Sequence, residues 1–300
     1  MLIWNLCAFV GTSIFAVNVI SMKILTDFLP AILIIFMRFS LAGIFLFLLL
    51  ISINKKISIN SKSDLFKLFV TALFGISLHY YLLTSSLKYI SPALVSLICS
   101  LIPLLTLLIT NIVNQTKAKK TTIILFTLSI FGVYLVLDIK GVNDLFATFK
   151  GFSLMFLGVI AWIIYTMKVE YLLEKYDAVL VLAYQCIFGS LIIFFFALED
   201  IALLFDISKS EDLILIAVNI IFVSLIATAL GYLLYNLSIK NLGVALPSIY
   251  MNTMPIITLI VSYFLLNSNI TYRKLTGVII VIISAVIVTV KENNVINKSR

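Results

Sequence analysis

One stretch of this chain occurs twice: Gly75–Thr110 reads GISLHYYLLTSSLKYISPALVSLICSLIPLLTLLIT, and Ala227–Ser262 reads ATALGYLLYNLSIKNLGVALPSIYMNTMPIITLIVS. Each copy is an apolar segment, a short polar break at a lysine, and a second apolar segment that contains a proline. A long internal repeat predicts a fold built from two related units. Aligned without a gap, the identical pairs are Tyr80/Tyr232, Leu82/Leu234, Ser86/Ser238, Lys88/Lys240, Ala93/Ala245, Leu94/Leu246, Ser96/Ser248, Pro103/Pro255, Thr106/Thr258 and Leu107/Leu259.

The composition excludes an ordinary soluble globule. The 300 residues are 63% hydrophobic and 11% charged, with a mean hydropathy of +1.21, whereas soluble domains are about a quarter charged. The net charge of +8 does not indicate nucleic acid, because the basic residues are spread over short loops between apolar segments. We therefore expect a lipid bilayer as partner. Cys7, Cys99 and Cys186 lie in apolar segments and are interpreted as small core residues rather than a disulfide framework.

Apolar runs of about 20 residues, the length that spans a bilayer, predict ten transmembrane helices. The first run has neither the basic flank nor the cleavage site of a signal peptide, so we expect it to be retained. The predicted helices cover residues 2–22, 30–53, 65–87, 91–113, 121–138, 150–169, 178–198, 212–237, 242–266 and 271–290.

The repeat extends to the start of the chain and predicts an inverted topology. Because each half holds five helices, an odd number, the second half enters the membrane from the opposite side. The sequence thus predicts an all-α membrane protein made of two five-helix units, residues 1–145 and 146–300. Outside the opening stretch, the alignment pairs Gly11 with Gly158, Phe15 with Trp162, Asn18 with Tyr165 and Arg38 with Gln185.

The distribution of lysine and arginine predicts the orientation. With a cytoplasmic N-terminus, the inside loops carry more basic residues than the outside loops, so we expect both termini to be cytoplasmic in a cell-membrane protein. The inside residues are then Lys55, Lys56, Lys62, Lys67, Lys117, Lys119, Lys120, Lys168, Lys175, Lys240, Lys291, Lys298 and Arg300; the outside residues are Lys23, Lys88, Lys140, Lys150, Lys209, Arg273 and Lys274.

Two helix faces carry small and polar residues at matching positions of the repeat, spaced i, i+4, i+7. Such a face serves close helix packing or a water-lined path, and its presence in both halves favours the path. Each proline removes one amide donor and predicts a kink that is either a hinge or a static bend. The residues are Ser96, Ser100 and Pro103 in the first half, and Ser248, Asn252 and Pro255 in the second.

Two ionisable residues fall inside predicted helices, where charge is costly. Arg38 can reach a lipid head group, pair with a carboxylate such as Asp27, or meet an anion in a cavity. His79 is either a neutral imidazole bonded across helices or a group that relays protons or contacts substrate. Aromatic residues in helix interiors pack or face lipid by default, but together they suit a cavity for a substrate with an apolar part; they include Trp162, Tyr165, Tyr232, Tyr235 and Tyr250.

Enzyme signatures are missing from the sequence: there is no P-loop, no HExxH motif and no aspartate-rich motif in the apolar segments. Two alternatives to a carrier remain open. A lipid-modifying membrane enzyme would need an acidic cluster, for which the stretch Glu199–Asp212 is the candidate. A scaffold subunit without transport has little use for polar helix faces.

At these residues the sequence resembles the EamA family of the drug/metabolite transporter superfamily. The likeness covers essentially the whole chain and includes Phe15-Ala16-Val17-Asn18, Arg38-Phe39, the stretch from Tyr80 to Pro103 and its second copy. The family's frequent glutamate after helices 4 and 9 is absent here, near Thr116 and Ser268. The resemblance implies ten helices in an inverted repeat and export or exchange of small metabolites, commonly amino acids.

The sequence therefore predicts a secondary transporter of a small metabolite that works by alternating access, without catalytic residues, metal or cofactor. We expect a monomer or weak homodimer. The predicted gating or structural residues are Arg38, Pro103 and Pro255. The predicted cavity-lining residues are Asn18, His79, Ser96, Ser100, Trp162, Tyr165, Tyr232, Tyr235, Ser248, Tyr250 and Asn252.

Overall fold

The computed structural model describes residues 1–55, 57–59, 61–113, 120–137, 142–204 and 211–299, and this part of the chain contains helices and no strands. Among these residues, eight helical spans are long and apolar enough to cross a membrane, and two of the spans consist of a pair of shorter helices, α4 with α5 and α10 with α11. The helices are α1 (Leu2–Thr26), α2 (Ala31–Ser52), α3 (Lys62–Ser86), α4 (Pro92–Cys99), α5 (Ile102–Val113), α6 (Lys120–Val136), α7 (Val142–Lys175), α8 (Ala178–Ala197), α9 (Leu213–Leu242), α10 (Ala245–Tyr250), α11 (Met254–Leu266) and α12 (Tyr272–Ser299).

The surface of the bundle is apolar and its interior holds polar side chains, which confirms the prediction of an all-α membrane protein. Ile214, Phe195 and Phe264 are 77%, 72% and 72% exposed. Asn18 and Gln185, in contrast, are buried. This arrangement is stable in lipid, because exposure of so many apolar side chains to water would be unfavourable.

Side-chain caps fix where several helices begin. Ser61 and Ser91 accept hydrogen bonds from the amides of Asp64 and Leu94, each at 3.3 Å. Asp177 accepts one from the amide of Val179 at 3.0 Å. These side chains satisfy amide groups that have no partner within the first helical turn.

The prolines of the repeated stretch lie beside short breaks in the α-helical hydrogen bonding, where the sequence predicted kinks. Residues 100–101 separate α4 from α5, and the 3₁₀ turn Met251–Thr253 separates α10 from α11. Pro103 and Pro255 are each the second residue of the helix that follows. Proline is well tolerated there, because the first turn of a helix has no intrahelical acceptor for its missing N–H.

A second pair of irregularities was not predicted: α3 and α9 each contain a π-helical segment. The segments are Leu73–Leu78 in α3 and Phe222–Tyr232 in α9. His79 directly follows the first segment, and Tyr232 ends the second. π-helical turns are rare and are often found at functional sites. Both segments therefore indicate a candidate functional site in the middle of the bundle.

Different contacts of charged residues are found at the two ends of the bundle. At one end, Lys55 pairs with Asp177 and Lys175 pairs with Asp64. At the other, Lys150 lies 4.7 Å from the Tyr89 ring. The inside and outside assignment of these loops stays a prediction. Of the residues it used, the following lie outside the described residues: Lys56, Lys117, Lys119, Lys140, Lys209 and Arg300.

Helices α6 and α12 pack against each other through two glycines. A Cβ at Gly277 would lie 2.5 Å from the carbonyl oxygen of Gly132, and a Cβ at Gly132 would lie 2.8 Å from that of Gly277. The helix backbones can therefore approach closely only because neither residue has a side chain.

We expect Gly277→Ala to lower the stability of the purified protein by about 1–2 kcal/mol, because the new methyl group separates α6 and α12. The loss stays moderate since the outer faces of both helices are exposed and the pair can move apart. Thermal unfolding in detergent measures the change. Ile279→Ala, at a 47% exposed position of the same helix, is the control, and an equal loss in both variants would contradict the packing role.

Candidate functional site

A small void lies in the centre of the bundle, where the two predicted units meet. Its volume is about 20 Å³, which is room for about one water molecule. Three of the predicted cavity residues, Asn18, His79 and Trp162, line it. The full lining is Phe15, Asn18, Val19, His79, Tyr80, Leu83, Cys99, Ile102, Trp162, Met251 and Met254.

A cluster of aromatic rings surrounds this central void. The Phe15 ring lies 5.3 Å from the Tyr232 ring and 6.1 Å from the Trp162 ring, measured between centroids. Trp162 in turn lies 5.1 Å from Tyr165 and 5.9 Å from Tyr235. These distances are typical of favourable edge-to-face and tilted aromatic contacts. The structure therefore brings four predicted residues, Trp162, Tyr165, Tyr232 and Tyr235, into one cluster.

Two aromatic residues of the lining, Phe15 and Tyr80, were not among the predicted site residues. Phe15 contacts the rings of Trp162, Tyr232 and Tyr235. Tyr80 lies 4.8 Å from the His79 ring. The repeat already carried the signal for both, because it aligns Phe15 with Trp162 and Tyr80 with Tyr232.

Hydrogen bonds tie the aromatic cluster to the backbone of other helices. The Tyr232 hydroxyl donates to the carbonyl oxygen of Gly75 at 3.1 Å. His79 Nδ1 lies 2.8 Å from the carbonyl oxygen of Gly158, so this nitrogen carries the proton and donates. His79 is thus hydrogen-bonded across helices, and it also lines the void.

Several polar atoms near the void have no hydrogen-bond partner. They are Asn18 Oδ1, Asn236 Nδ2, and both amide atoms of Asn252, all buried. Buried polar atoms without partners cost about 1–3 kcal/mol each. Such a concentration is expected where a polar ligand or water completes the bonding.

The remaining predicted residues lie less centrally. Ser96 and Ser100 are buried, but their hydroxyls donate to carbonyls of their own helical turn, at Ala93 and Leu97. Ser248 is buried in α10. Tyr250 packs against Phe9, which is 45% exposed, with ring centroids 6.5 Å apart. The structure does not bring the Tyr250 ring into the aromatic cluster.

Two of the three roles that the sequence left open for Arg38 are wrong. Arg38 is fully buried, so it does not extend to a head group. Asp27 pairs with Lys23 at 2.7 Å instead, because Lys23 lies one helical turn away on the same face. The Arg38 Nε donates to Thr228 Oγ1 at 2.6 Å, which links α2 to α9.

An ion-pair network joins the two predicted units at one end of the bundle. Asp64, at the start of α3, accepts from Lys175 Nζ at 2.5 Å and from the Tyr176 hydroxyl at 2.7 Å. Lys55 donates to Asp177 at 2.5 Å. A vestibule of about 520 Å³ surrounds these contacts; it is lined by Lys55, Ser58, Ser61, Lys175, Tyr176, Asp177 and Leu180.

The network is charged at neutral pH. Burial raises the pKa of Asp177, but hydrogen bonds from Lys55 and from the Val179 amide outweigh this effect, and the net pKa is below its ordinary value. The hydrogen bond to Asp64 raises the pKa of Tyr176, so its hydroxyl keeps the proton that it donates. Charged contacts therefore link α3 and the loop before it to the α7–α8 connection at this end of the bundle.

The EamA-like transporter family model matches residues 2–138 and 149–290. The chain belongs to this family. It is thus a transporter and a multi-pass membrane protein. Among the described residues no group of three His, Cys, Asp or Glu side chains is placed to hold a metal ion.

Relatives of this EamA-like transporter are also described as transporters. An Archaeoglobus fulgidus protein described as an uncharacterized transporter is 26% identical over 271 residues, which are 90% of this chain and 93% of the relative. The uncharacterized transporter YyaM of Bacillus subtilis is 25% identical over 256 residues, 82% and 80% of the two chains. A crystal structure with 12% identity superposes with a TM-score of 0.64 over 97% of each chain, a likeness in fold alone.

Proposed function

We propose that this protein is a secondary transporter that exports or exchanges small metabolites, amino acids or related compounds, by alternating access. It acts in the cell membrane with both termini in the cytoplasm, as a monomer or weak homodimer. Residues 1–145 and 146–300 form its two units, each of five helices, related as an inverted repeat. The central void is the substrate site in its closed form. The buried polar atoms around that void, which lack partners in both units, carry this proposal.

Matching irregularities support the inverted repeat. The π-helical segments of α3 and α9 lie at corresponding positions of the alignment, and so do the breaks beside Pro103 and Pro255. Hydrogen bonds also join corresponding pairs of helices: Arg38 of α2 bonds to Thr228 of α9, and Gln185 of α8 bonds to Thr71 of α3 at 2.9 Å, although the two threonines are not at aligned positions. Each bond runs from one unit to the other.

The closed network and the small void support alternating access. A void with room for one water cannot hold a metabolite, so transport requires the helices around it to separate. The ion-pair network closes one end of the bundle. The breaks between α4 and α5 and between α10 and α11 are where helices can turn without losing regular hydrogen bonds. Irregular backbone in a membrane is found where it lines a cavity.

The lining of the void supports a small substrate with polar and apolar parts. The rings of Phe15, Tyr80 and Trp162 provide apolar contact, and the Asn18 amide provides hydrogen bonds. The lipid-enzyme alternative gains no support from these contacts. Its acidic stretch Glu199–Asp212 lies partly outside the described residues.

Counterflow in liposomes tests the proposal. Purified protein is reconstituted with a pool of unlabelled amino acids and related metabolites inside, and labelled compounds are offered outside one at a time. Saturable uptake that an unlabelled competitor reduces supports the carrier. Absence of exchange with every compound, from protein shown to be folded, would contradict the assignment.

The Asn18→Leu substitution is expected to reduce counterflow about tenfold while leaving the melting temperature unchanged or higher. The Asn18 Oδ1 atom has no partner within the protein, so its removal relieves an unsatisfied group but takes a hydrogen bond from the substrate. Asn5→Leu in the same helix is the control, because the Asn5 amide bonds only to the backbone of Met1. Full transport by Asn18→Leu would remove this residue from the site.

A further inference from the structure

The charge of Arg38 lies inside a membrane-spanning helix with most of its donors unused. The side chain is 0% exposed. Its Nε donates to Thr228 Oγ1, while Nη1 and Nη2 are buried and form no hydrogen bond. A guanidinium has five N–H donors in a planar fork, four of them on these two nitrogens. The four N–H groups on Nη1 and Nη2 are therefore buried and available to donate hydrogen bonds to a ligand.

No carboxylate in the described part of the chain neutralises this charge. Asp27, Asp64 and Asp177 pair with lysines near helix ends. The Arg38 Cζ lies 4.0 Å from the Tyr80 ring centroid and 5.0 Å from that of Phe39. These cation–π contacts compensate only part of the lost hydration, because a ring quadrupole attracts a cation less strongly than an anion does. A counter-charge from outside the described residues is indicated.

The structural task of Arg38 does not require a charge. The repeat places Gln185 at the corresponding position of the second unit. Gln185 Nε2 donates to Thr71 Oγ1 at 2.9 Å, in the same way as Arg38 Nε donates to Thr228. A neutral amide thus makes a bond between the corresponding helices of the two units, to a threonine at a different position of the repeat. The bond to Thr228 therefore requires neither the positive charge of Arg38 nor its two Nη nitrogens.

The guanidinium lies beside the central void. Tyr80 contacts both, since Arg38 packs over its ring and its side chain lines the void. The Arg38 charge also acts electrostatically on His79 and Tyr232. Two of these three neighbours, Tyr80 and His79, belong to the lining. An anion bound by the fork would therefore lie at the edge of the substrate site.

We propose that Arg38 binds the carboxylate of the transported substrate, so that the substrate is a small carboxylic acid whose apolar part contacts the aromatic cluster. A guanidinium fork and a carboxylate match in geometry and form two parallel charge-assisted hydrogen bonds. Movement of the Tyr80 ring opens the fork to the void. This inference rests on the proposed transport function and names its substrate class.

Matched acid and amide probes test the inference. L-Phenylalanine, L-leucine and 3-phenylpropanoate are compared with their carboxamides, in counterflow and as stabilisers against thermal unfolding. We expect the wild-type protein to bind and transport at least one acid and to bind its amide about 30-fold more weakly, as charge-assisted bonds are lost. Arg38→Gln, which retains a donor for Thr228, should raise the half-saturating acid concentration about 10- to 30-fold. The half-saturating acid concentration of Arg38→Lys should lie between those of the wild-type protein and Arg38→Gln.

Arg273→Gln provides the control. Arg273 also lies over an aromatic ring, 5.7 Å from that of Tyr134, but at the start of α12, so its replacement should leave both acid transport and acid-to-amide discrimination unchanged. Melting temperatures of all variants are compared without probe. If Arg38→Gln does not fold, the acid-to-amide ratio of the wild-type protein and the Arg38→Lys variant decide the question.

The outcomes separate this inference from the transport function. Equal handling of acid and amide by the wild-type protein, or unchanged acid affinity in Arg38→Gln, overturns the role of Arg38 and leaves transport standing. Stabilisation by acids without counterflow supports the carboxylate site and contradicts transport. Transport of neutral or cationic compounds only, or neither binding nor transport of any acid, overturns the inference. Acid transport that requires chloride would assign the fork to that ion instead.

Discussion

Replacement of Gly75 by alanine is expected to lower the melting temperature by about 6–12 °C, the equivalent of about 3 kcal/mol. A Cβ at Gly75 would lie 2.3, 2.5 and 2.9 Å from three atoms of the Tyr165 ring. Tyr165 is fully buried and its hydroxyl donates to Asn236 Oδ1 at 3.1 Å. The ring cannot move aside without breaking that bond, so the overlap is more costly here than between the peripheral helices α6 and α12.

Gly158→Ala is the matched control for this prediction. Its new Cβ would meet the carbonyl oxygen of His79 and the Cβ of Leu82 at 3.4 Å, which is ordinary contact. Both glycines lie in helices of the central site, so the intrinsic gain of alanine in a helix is similar for the two. Thermal unfolding in detergent compares the variants. Similar melting temperatures would show that the space around Tyr165 is larger than the structure indicates.

Asp64→Asn is expected to increase the access of water to the central void about 10- to 100-fold. The substitution weakens the hydrogen bonds from Lys175 and Tyr176 to a charged acceptor, and in the proposed alternating-access cycle these bonds break when this end opens. Loss of interactions made in one state shifts the population toward the other by the corresponding factor. The effect is therefore on the equilibrium between states and not on substrate contacts.

Cys99 is a native reporter for this opening, because it lines the void and is 4% exposed. With Cys7 and Cys186 replaced, the rate at which a membrane-impermeant thiosulfonate reagent modifies Cys99 in nanodiscs is measured. Asp27→Asn serves as control, since Asp27 pairs with Lys23 within one helix. The closing role of the network would be refuted by equal rates in the wild-type protein and Asp64→Asn, or by the same increase in Asp27→Asn.

The repeated stretch was sufficient to predict the all-helical membrane fold, because hydropathy and helix length are local properties. The breaks beside Pro103 and Pro255 were predicted only as kinks. Apolar residues flank both prolines, so the local sequence does not distinguish a proline inside a helix from one in the first turn of a new helix. A π-helical turn contains less than one residue more than an α-helical turn. The π-helical segments therefore leave no clear change in the periodicity of apolar residues, and the sequence did not predict them.

The candidate site was predictable where the repeat or the residue type marked it. Asn18, His79 and Trp162 were found in this way, and Phe15 could have been found from its alignment with Trp162. The contact of Asp64 with Lys175 was not predictable, because 111 positions separate the two residues and both lie near other charges at helix ends. Three roles were open for Arg38 until the packing of α2 placed it in the interior.

The pairing of α6 with α12 has a consequence for biosynthesis. The last residue of α6 is Val136, and its main partner begins at Tyr272. At a synthesis rate of about 5–20 residues per second, the surface around Gly132 waits for about 7–30 s before Gly277 leaves the ribosome. During this interval lipid or an insertion chaperone must cover that face. Truncation of the chain before Tyr272 therefore leaves α6 as the helix most exposed to quality-control proteases.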